Sequence, residues 1–230
     1  MLRFISTVLA FAGFVSFASA GERAVVVELY TSQGCSSCPP ADALLVELAQ
    51  RDDVIALALH VDYWDYIGWK DRFAVPEHTD RQKGYARAAG QRTIYTPQMI
   101  VGGVDHVVGY KPMQLAKYIE THADLAEPVA VSLTRQGDDL QIDIPAAAGI
   151  GAAEVMLFRY RPLEKVSIGR GENAGETFNY ANIVTHMERL GAWDGSRAWS
   201  QSVTVAGDSP VVVMVQRQDY GPILSAARLR

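Results

Sequence analysis

Cys35 and Cys38 are the only cysteines in the chain, held in Gly34-Cys35-Ser36-Ser37-Cys38-Pro39. Thiols at this spacing can staple a loop, bind a metal or exchange disulfides. A staple removes more entropy from the unfolded chain the longer the loop it closes, so so short a gap makes a poor one. Structural zinc needs four ligands, usually from a second cysteine pair or two nearby histidines. No second pair exists, and His60, His78, His106, His122 and His186 are scattered without ligand spacing. Redox chemistry is the strong remaining reading. A thiolate, not a thiol, attacks a disulfide, and the pair falls between a predicted strand and a predicted helix start. Free backbone N–H groups and the helix dipole favour negative charge there. Cys35, coming first, is expected at an exposed mouth as the nucleophile. Cys38, about one turn further on, is expected to resolve the mixed disulfide. Pro39 and Pro40 belong in a first helical turn, since proline deeper in a helix costs about 3 kcal/mol.

The surroundings of the pair narrow its setting. The 230 residues carry 21 basic and 26 acidic side chains, a formal charge of −5, and are 49% apolar. That balance belongs to a globular protein and excludes collagen-like, disordered and coiled-coil chains. Without clustered Lys and Arg the counterion-release drive for polyanion binding is missing, so no nucleic-acid partner is expected. Residues 1–20 read as a signal peptide: Arg3, an apolar run from Phe4 to Phe17, then Ala18-Ser19-Ala20 before a cut at Gly21. The run is shorter than the ~20 residues that span a bilayer, so the mature chain is expected not to span a membrane. A periplasmic or secreted protein is expected, in a compartment where disulfides persist.

Periodicity supplies the elements that must position the cysteines. Ala24–Tyr30 and Val54–Val61 read as buried strands, with a helix marked by Ala41, Leu44, Leu45 and Leu48 between them. Thr79 and Gln82 form a capping-box pattern for a second helix closed by Gly90. Met99–Val101 and Val104–Val108 read as a hairpin about Gly102-Gly103, and Leu115, Tyr118, Ile119 and His122 mark a third helix after Pro112. Beyond Glu127-Pro128, alternating segments at Val129–Thr134 and Leu140–Ile144 predict a hairpin. Glu154–Tyr160, Trp199–Val205 and Val211–Gln216 are further strands. No dinucleotide fingerprint, phosphate loop or nucleophilic serine elbow occurs, and no cofactor is expected.

Tyr30-Thr31-Ser32-Gln33-Gly34-Cys35-Ser36-Ser37-Cys38 resembles the start of thioredoxin and glutaredoxin domains, and Thr96-Pro97 resembles the cis-proline element of that superfamily. The longer strings Glu28 to Asp42, His60 to Asp65 with Gly68 to Asp71, and Arg170 to Gly175 are similar to a group of bacterial exported thioredoxin-like proteins of unknown function. The resemblance implies an α/β fold: a thioredoxin-like domain over 21–126, with an aromatic insert at about 62–90, followed by a β-rich, antiparallel sandwich-like domain over 127–230. It implies Cys35 as nucleophile, Cys38 as resolving thiol, a backbone contact to substrate from Thr96, and Pro97 against the cysteines. A trans proline opening an edge strand is the competing reading. Glu28 resembles the buried acid that relays a proton to the resolving cysteine; an edge or surface glutamate is the alternative. Gly34 stands where the superfamily usually has tryptophan.

Tyr63, Trp64 and Trp69 open the insert as an aromatic lip that docks substrate or, equally, as a small core anchoring the insert. His60 and Asp62 alternate on one strand face and could meet a metal together, although a satisfied histidine is the commoner outcome. The sequence thus points to an exported thiol–disulfide oxidoreductase that acts on cysteine-containing proteins and is served by a redox partner protein. Two other classes stay open: a Cu(I) or soft-metal chaperone using the same thiols, and a non-catalytic interaction protein.

Overall fold

The computed structural model describes residues 16–17, 24–125 and 128–230. Apart from Ser16–Phe17, the proposed leader lies outside these residues, as does the expected domain junction at 126–127. The elements follow the order β1 (Ser16–Phe17), β2 (Val25–Thr31), α1 (Pro39–Leu48), β3 (Val54–His60), α2 (Pro76–Ala88), β4 (Gln98–Val101), β5 (Asp105–Val108) and α3 (Pro112–Ala123). Then come β6 (Ser132–Gln136), β7 (Asp139–Ile144), β8 (Ala153–Ser167), β9 (Thr177–Trp193), β10 (Trp199–Thr204), β11 (Val211–Arg217) and β12 (Ile223–Leu229). Among the described residues no helix is long and apolar enough to cross a membrane.

The strands β2 and β3 are buried along their whole length, as apolar strands covered on both faces must be. They pair in parallel from Val25–Val54 to Thr31–His60. The β4–β5 hairpin adds antiparallel on the other side of β2, and Gly102 and Gly103 supply the positive φ its turn needs. One face of these strands (Val25, Val27, Leu29) packs on Leu45 and Leu48 of α1 and Leu115 and Ile119 of α3. The other face (Val26, Tyr30, Leu57) packs with Tyr85 of α2 and with Phe158 and Met214 from β8 and β11.

That last contact overturns the expected architecture. An α/β thioredoxin-like domain followed by a separate antiparallel sandwich does not form. The described chain is mostly β, with three α-helices, and its second half continues the first half's sheet in the order β12-β11-β8-β9-β3-β2-β4-β5. The joint is β9 alongside β3, parallel at Ala58–Ile183, fastened where Asn182 Nδ2 donates to Ala56 O at 2.9 Å. An edge strand left bare by β3 would expose unpaired backbone groups, and β9 covers it. The smaller sheet, β1-β6-β7-β10, lays Leu133, Leu140 and Ile142 against Val155, Leu157 and Val213 of the large sheet.

Two local expectations also change. The helix assigned to a Thr79–Gln82 capping box begins earlier, at Pro76, with Val75 as its extended N-cap. Both supposed capping side chains work elsewhere. Thr79 Oγ1 donates to Asp62 Oδ1 at 2.5 Å, and Gln82 Nε2 donates to Tyr95 O and Gln98 Oε1, both at 2.8 Å. Strand β9, the longest in the fold, has no counterpart in the periodicity reading.

Candidate functional site

Past the end of β2, Ser32 organises a tight turn: Gly34 N–H donates to its Oγ at 3.1 Å and Cys35 N–H to its carbonyl at 3.1 Å. The chain turns again, Cys38 N–H reaching Cys35 O at 3.2 Å, and Cys38 becomes the N-cap of α1. Pro39 and Pro40 occupy the first two helical positions, where a missing N–H costs nothing. Cys35 and Cys38 are joined as a disulfide with Cα atoms 5.4 Å apart. The Cys35 sulfur lies 3.4 Å from Ser37 Oγ.

The expected exposed mouth is absent. Cys35 is 2% exposed and Cys38 fully buried, while Ser36 and Ser37 between them face outward. Two pieces of chain make the cover. The first is the insert after β3, which turns through a single 3₁₀ turn at Asp65–Ile67. Here Trp64 Nε1 donates to Thr96 Oγ1 at 2.6 Å and Trp69 Nε1 to Gln33 Oε1 at 2.8 Å. Tyr63 OH donates to Gln82 Oε1 at 3.2 Å. All three aromatic residues of the expected lip are half-buried, with their polar atoms bonded inside the protein. The second piece is the β8–β9 turn. Asn173 Nδ2 donates to Gln33 O at 2.9 Å and to Cys35 O at 3.1 Å. Gly171, at φ +79°, lies so near Trp69 that a side chain there would meet its Cβ at 3.2 Å. A Cβ on Gly34 would meet Ile67 Cδ1 at 3.3 Å, so the insert fills the space beside Gly34.

The Thr96–Pro97 peptide is cis, not trans. Its threonine side chain is committed to Trp64, which ties this bend to the cover.

Glu28 is neither a surface residue nor a free acid. It is fully buried, and Arg81 of α2 clamps it with Nε to Oε1 at 2.6 Å and Nη2 to Oε2 at 3.1 Å. Tyr85 OH also donates to Oε2, and Gln216 accepts from Arg81 at 3.0 Å. The guanidinium and the phenol fill the hydrogen-bonding positions around the carboxylate and compensate its charge. It also shares its sheet face with Val26 and Tyr30, the face away from α1.

The acid on the cysteine side is Asp42, one turn after Cys38. It is buried, neither oxygen has a partner in bonding geometry, and burial pushes its carboxyl up to about 7. Nearby His60 and Thr31 offset only part of that rise. His60 does not pair with Asp62 toward a metal. Its Nδ1–H donates to Asp71 Oδ2 at 2.7 Å, both side chains being fully buried, and its Nε2 has no partner. Burial raises the Asp71 carboxyl, but His60 and the N–H groups of Gln33 (2.8 Å) and Phe73 (2.9 Å) outweigh it and hold the group low. His78 Nδ1–H donates to His60 O at 2.9 Å, and burial pushes its imidazole down to about 4. Among the described residues, no three His, Cys, Asp or Glu side chains are arranged to hold a metal ion.

Sequence reasoning missed Asp42, Asp71, Arg81 and Asn173. Asp42 carried a usable signal, because an acid four residues after Cys38 and beside Ala41 and Leu45 falls on the helix face that must be buried.

Residues 26–216 match the family described as "Protein of unknown function (DUF1223)". The chain belongs to that family. A search of curated proteins finds no match. Among solved structures, the chain is similar to protein AGR_C_4864 of Agrobacterium tumefaciens, a structural-genomics target. The two are 35% identical, with 91% of this chain and 96% of that one covered and a TM-score of 0.78. HBP35 of Porphyromonas gingivalis, at 16% identity, TM-score 0.61 and 92% and 76% coverage, shares the fold.

Proposed function

We propose that this protein is an exported thiol–disulfide oxidoreductase, periplasmic or secreted, related to the thioredoxin-like superfamily. Its substrate is a cysteine-containing protein, and a second redox protein resets it. The observation that carries this reading is the Cys35–Cys38 disulfide at the N-cap of α1. There the helix dipole stabilises whichever sulfur leaves as a thiolate.

A substrate thiolate attacks the Cys35 sulfur, the Cys35–Cys38 bond breaks, and Cys38 departs as a thiolate that takes up a proton. A second substrate thiol, losing its proton, attacks the substrate sulfur of the mixed disulfide and releases Cys35. The substrate ends oxidised by two electrons and the protein reduced by two; the reverse sequence reduces a substrate disulfide. Because Cys35 is covered, a macromolecular substrate must displace the insert or the Asn173 turn before attack. Tyr63, Trp64 and Trp69 act by holding that cover.

Equilibration in stepped buffers of reduced and oxidised glutathione, with thiols counted by mass after alkylation, tests the proposal. The expected results are a reversible two-electron transition and a mixed disulfide trapped on Cys35 in Cys38→Ala. A disulfide that ignores the buffers, or a Cys38→Ala variant that captures nothing, overturns it.

A further inference from the structure

A substrate of this protein needs a hold outside the cover, because Cys35 is reached only after the cover moves. Helix α2 and the segment that follows it form a cleft of about 310 Å³. Gly90, at φ +67°, ends the helix, and the chain folds back on it. Gly90 N–H donates to Arg87 O at 3.0 Å and Gln91 N–H to Ala86 O at 2.8 Å, so backbone bonds shape the cleft before anything binds. Buried Ala86 and half-buried Ile94 give it an apolar lining, and exposed Lys83, Arg87 and Arg92 give it cations. Lys83 pairs with Asp80 at 3.3 Å. Among the described residues the side chains of Arg87 and Arg92 have no hydrogen-bond or ion-pair partner. Glu77, the other exposed acid of α2, lies about 15 Å along the axis before Arg87. The negative end of the helix dipole accounts for Arg87 in the last turn but not for Arg92 beyond it. A chain of formal charge −5 thus gathers unpaired positive charge in one preformed cleft.

The cleft adjoins the cover. Gln82, beside Lys83, donates to Tyr95 O at 2.8 Å and accepts from Tyr63 OH at 3.2 Å. Arg92 is separated from Thr96 by at most about 14 Å of chain, and Thr96 Oγ1 accepts from Trp64 of the insert. The carbonyl oxygen of that Trp64 lies 3.4 Å from where a Cβ on Gly34, next to Cys35, would stand. We infer that Lys83, Arg87 and Arg92 form a docking cleft for an acidic segment of the substrate protein, flanking the cysteine that attacks Cys35. The inference rests on the oxidoreductase reading above and names the substrate class which that site takes. Asp and Glu side chains of the segment pair with the two guanidinium groups, which match carboxylates in charge and fork geometry. An apolar residue between them covers Ala86 and Ile94. Held there, the segment delivers its cysteine beside the Trp64–Thr96 link, and contacts remote from the sulfurs offset the cost of moving the insert. The acidic remainder of the protein repels such a segment, so the cleft decides where it lands.

The test uses two synthetic dithiol peptides that differ only in the flank of one cysteine, Glu-Asp-Glu in one and Lys-Arg-Lys in the other. It follows loss of the Cys35–Cys38 disulfide in the oxidised full chain. Each rate is divided by the same peptide's rate with neutral hydroxyethyl disulfide, which removes the effect of the flank on the thiol itself. At low salt the acidic peptide should react about tenfold faster, the lower end of what a charged cleft adds to association. The ratio should fall below about twofold in 1 M salt, where the Debye length is only about 3 Å. It should fall equally in Arg87→Gln/Arg92→Gln, persist in Arg87→Lys/Arg92→Lys and invert in Arg87→Glu/Arg92→Glu, all folded by circular dichroism. Reduction by dithiothreitol, small and neutral, should be the same in every variant. Equal normalised rates for the two peptides, or a preference that survives in Arg87→Gln/Arg92→Gln, overturn the inference and leave the oxidoreductase reading standing. A wild-type disulfide that neither peptide reduces removes the oxidoreductase reading, and the inference with it.

Discussion

Asn173 gives its side-chain amide to the carbonyl oxygens of Gln33 and Cys35, at 2.9 and 3.1 Å, so a turn late in the chain closes over a disulfide near its beginning. The same Gln33 accepts from Trp69 and donates its N–H to Asp71. Both halves of the cover thus converge on the residue two before Cys35.

Removing that amide should open the site. Asn173→Ala leaves two carbonyl oxygens without their partner, a loss of about 1–3 kcal/mol. The Cys35–Cys38 bond should then be reduced several-fold faster by a small dithiol. Asn173→Asp, which sets a carboxylate against two carbonyl oxygens, should cost more stability than alanine. Reduction kinetics and denaturant midpoints check this; an Asn173→Ala protein reduced no faster than wild type would show that the turn does not gate the sulfurs.

Gly34 and the insert are complementary, and adding bulk at Gly34 should reveal it. The space beside Gly34 is taken by Ile67, and a Cβ there is already tight at 3.3 Å. Gly34→Ala should be tolerated with a small adjustment, whereas Gly34→Trp should push the 3₁₀ turn outward and raise proteolytic cleavage between Asp62 and Arg72. Ile67→Ala in the Gly34→Trp background should recover part of the loss. Equal cleavage of wild type and Gly34→Trp would refute the packing argument.

Glu28 and Arg81 should prove structural, not chemical. Removing one partner of a buried ion pair leaves an uncompensated charge, at about 3–5 kcal/mol. Arg81→Met should therefore be strongly destabilised, and Glu28→Gln/Arg81→Met less so than the single Arg81 change. The glutathione ratio at half-reduction should be the same in Glu28→Gln as in wild type. A shift of tenfold or more in that ratio would return Glu28 to the proton path.

What the sequence revealed and what it hid follow from the range of the signals. The Cys35–Cys38 spacing, the two prolines after it and the Gly102-Gly103 turn are local, and their geometry depends on neighbours in the chain. Strand β9 is different. Its pairing with β8 shifts register between Val155 and Met156 and again between Arg159 and Tyr160, and Asn182 takes φ +46°. Each irregularity resets the two-residue alternation, so β9 has no clean period to detect. With β9 unseen, nothing in the pattern joined the two halves, and a second domain was the natural expectation. Arg81 and Asn173 acquire meaning only from partners 53 and 138 residues away.

The last prediction concerns acidity, where two buried groups oppose each other. Asp42 is raised from 3.8 to about 7, so the native state holds a proton that the unfolded chain releases, and stability falls as pH rises from about 4 to 7. His78 is lowered from 6.5 to about 4, so the unfolded chain holds the extra proton, and stability falls as pH drops from about 6.5 to 4. Each slope is about 1.4 kcal/mol per pH unit, and between roughly pH 4.5 and 6 they nearly cancel. Asp42→Asn removes only the first slope. Denaturant unfolding of the oxidised protein should therefore show Asp42→Asn losing about 3 kcal/mol more than wild type on acidification from pH 6.5 to 4. His78→Gln, lacking the second slope, should gain stability over the same interval relative to wild type. Parallel curves for wild type and Asp42→Asn would mean that Asp42 is ionised in the folded protein well below neutrality, and that burial does not hold its proton in place.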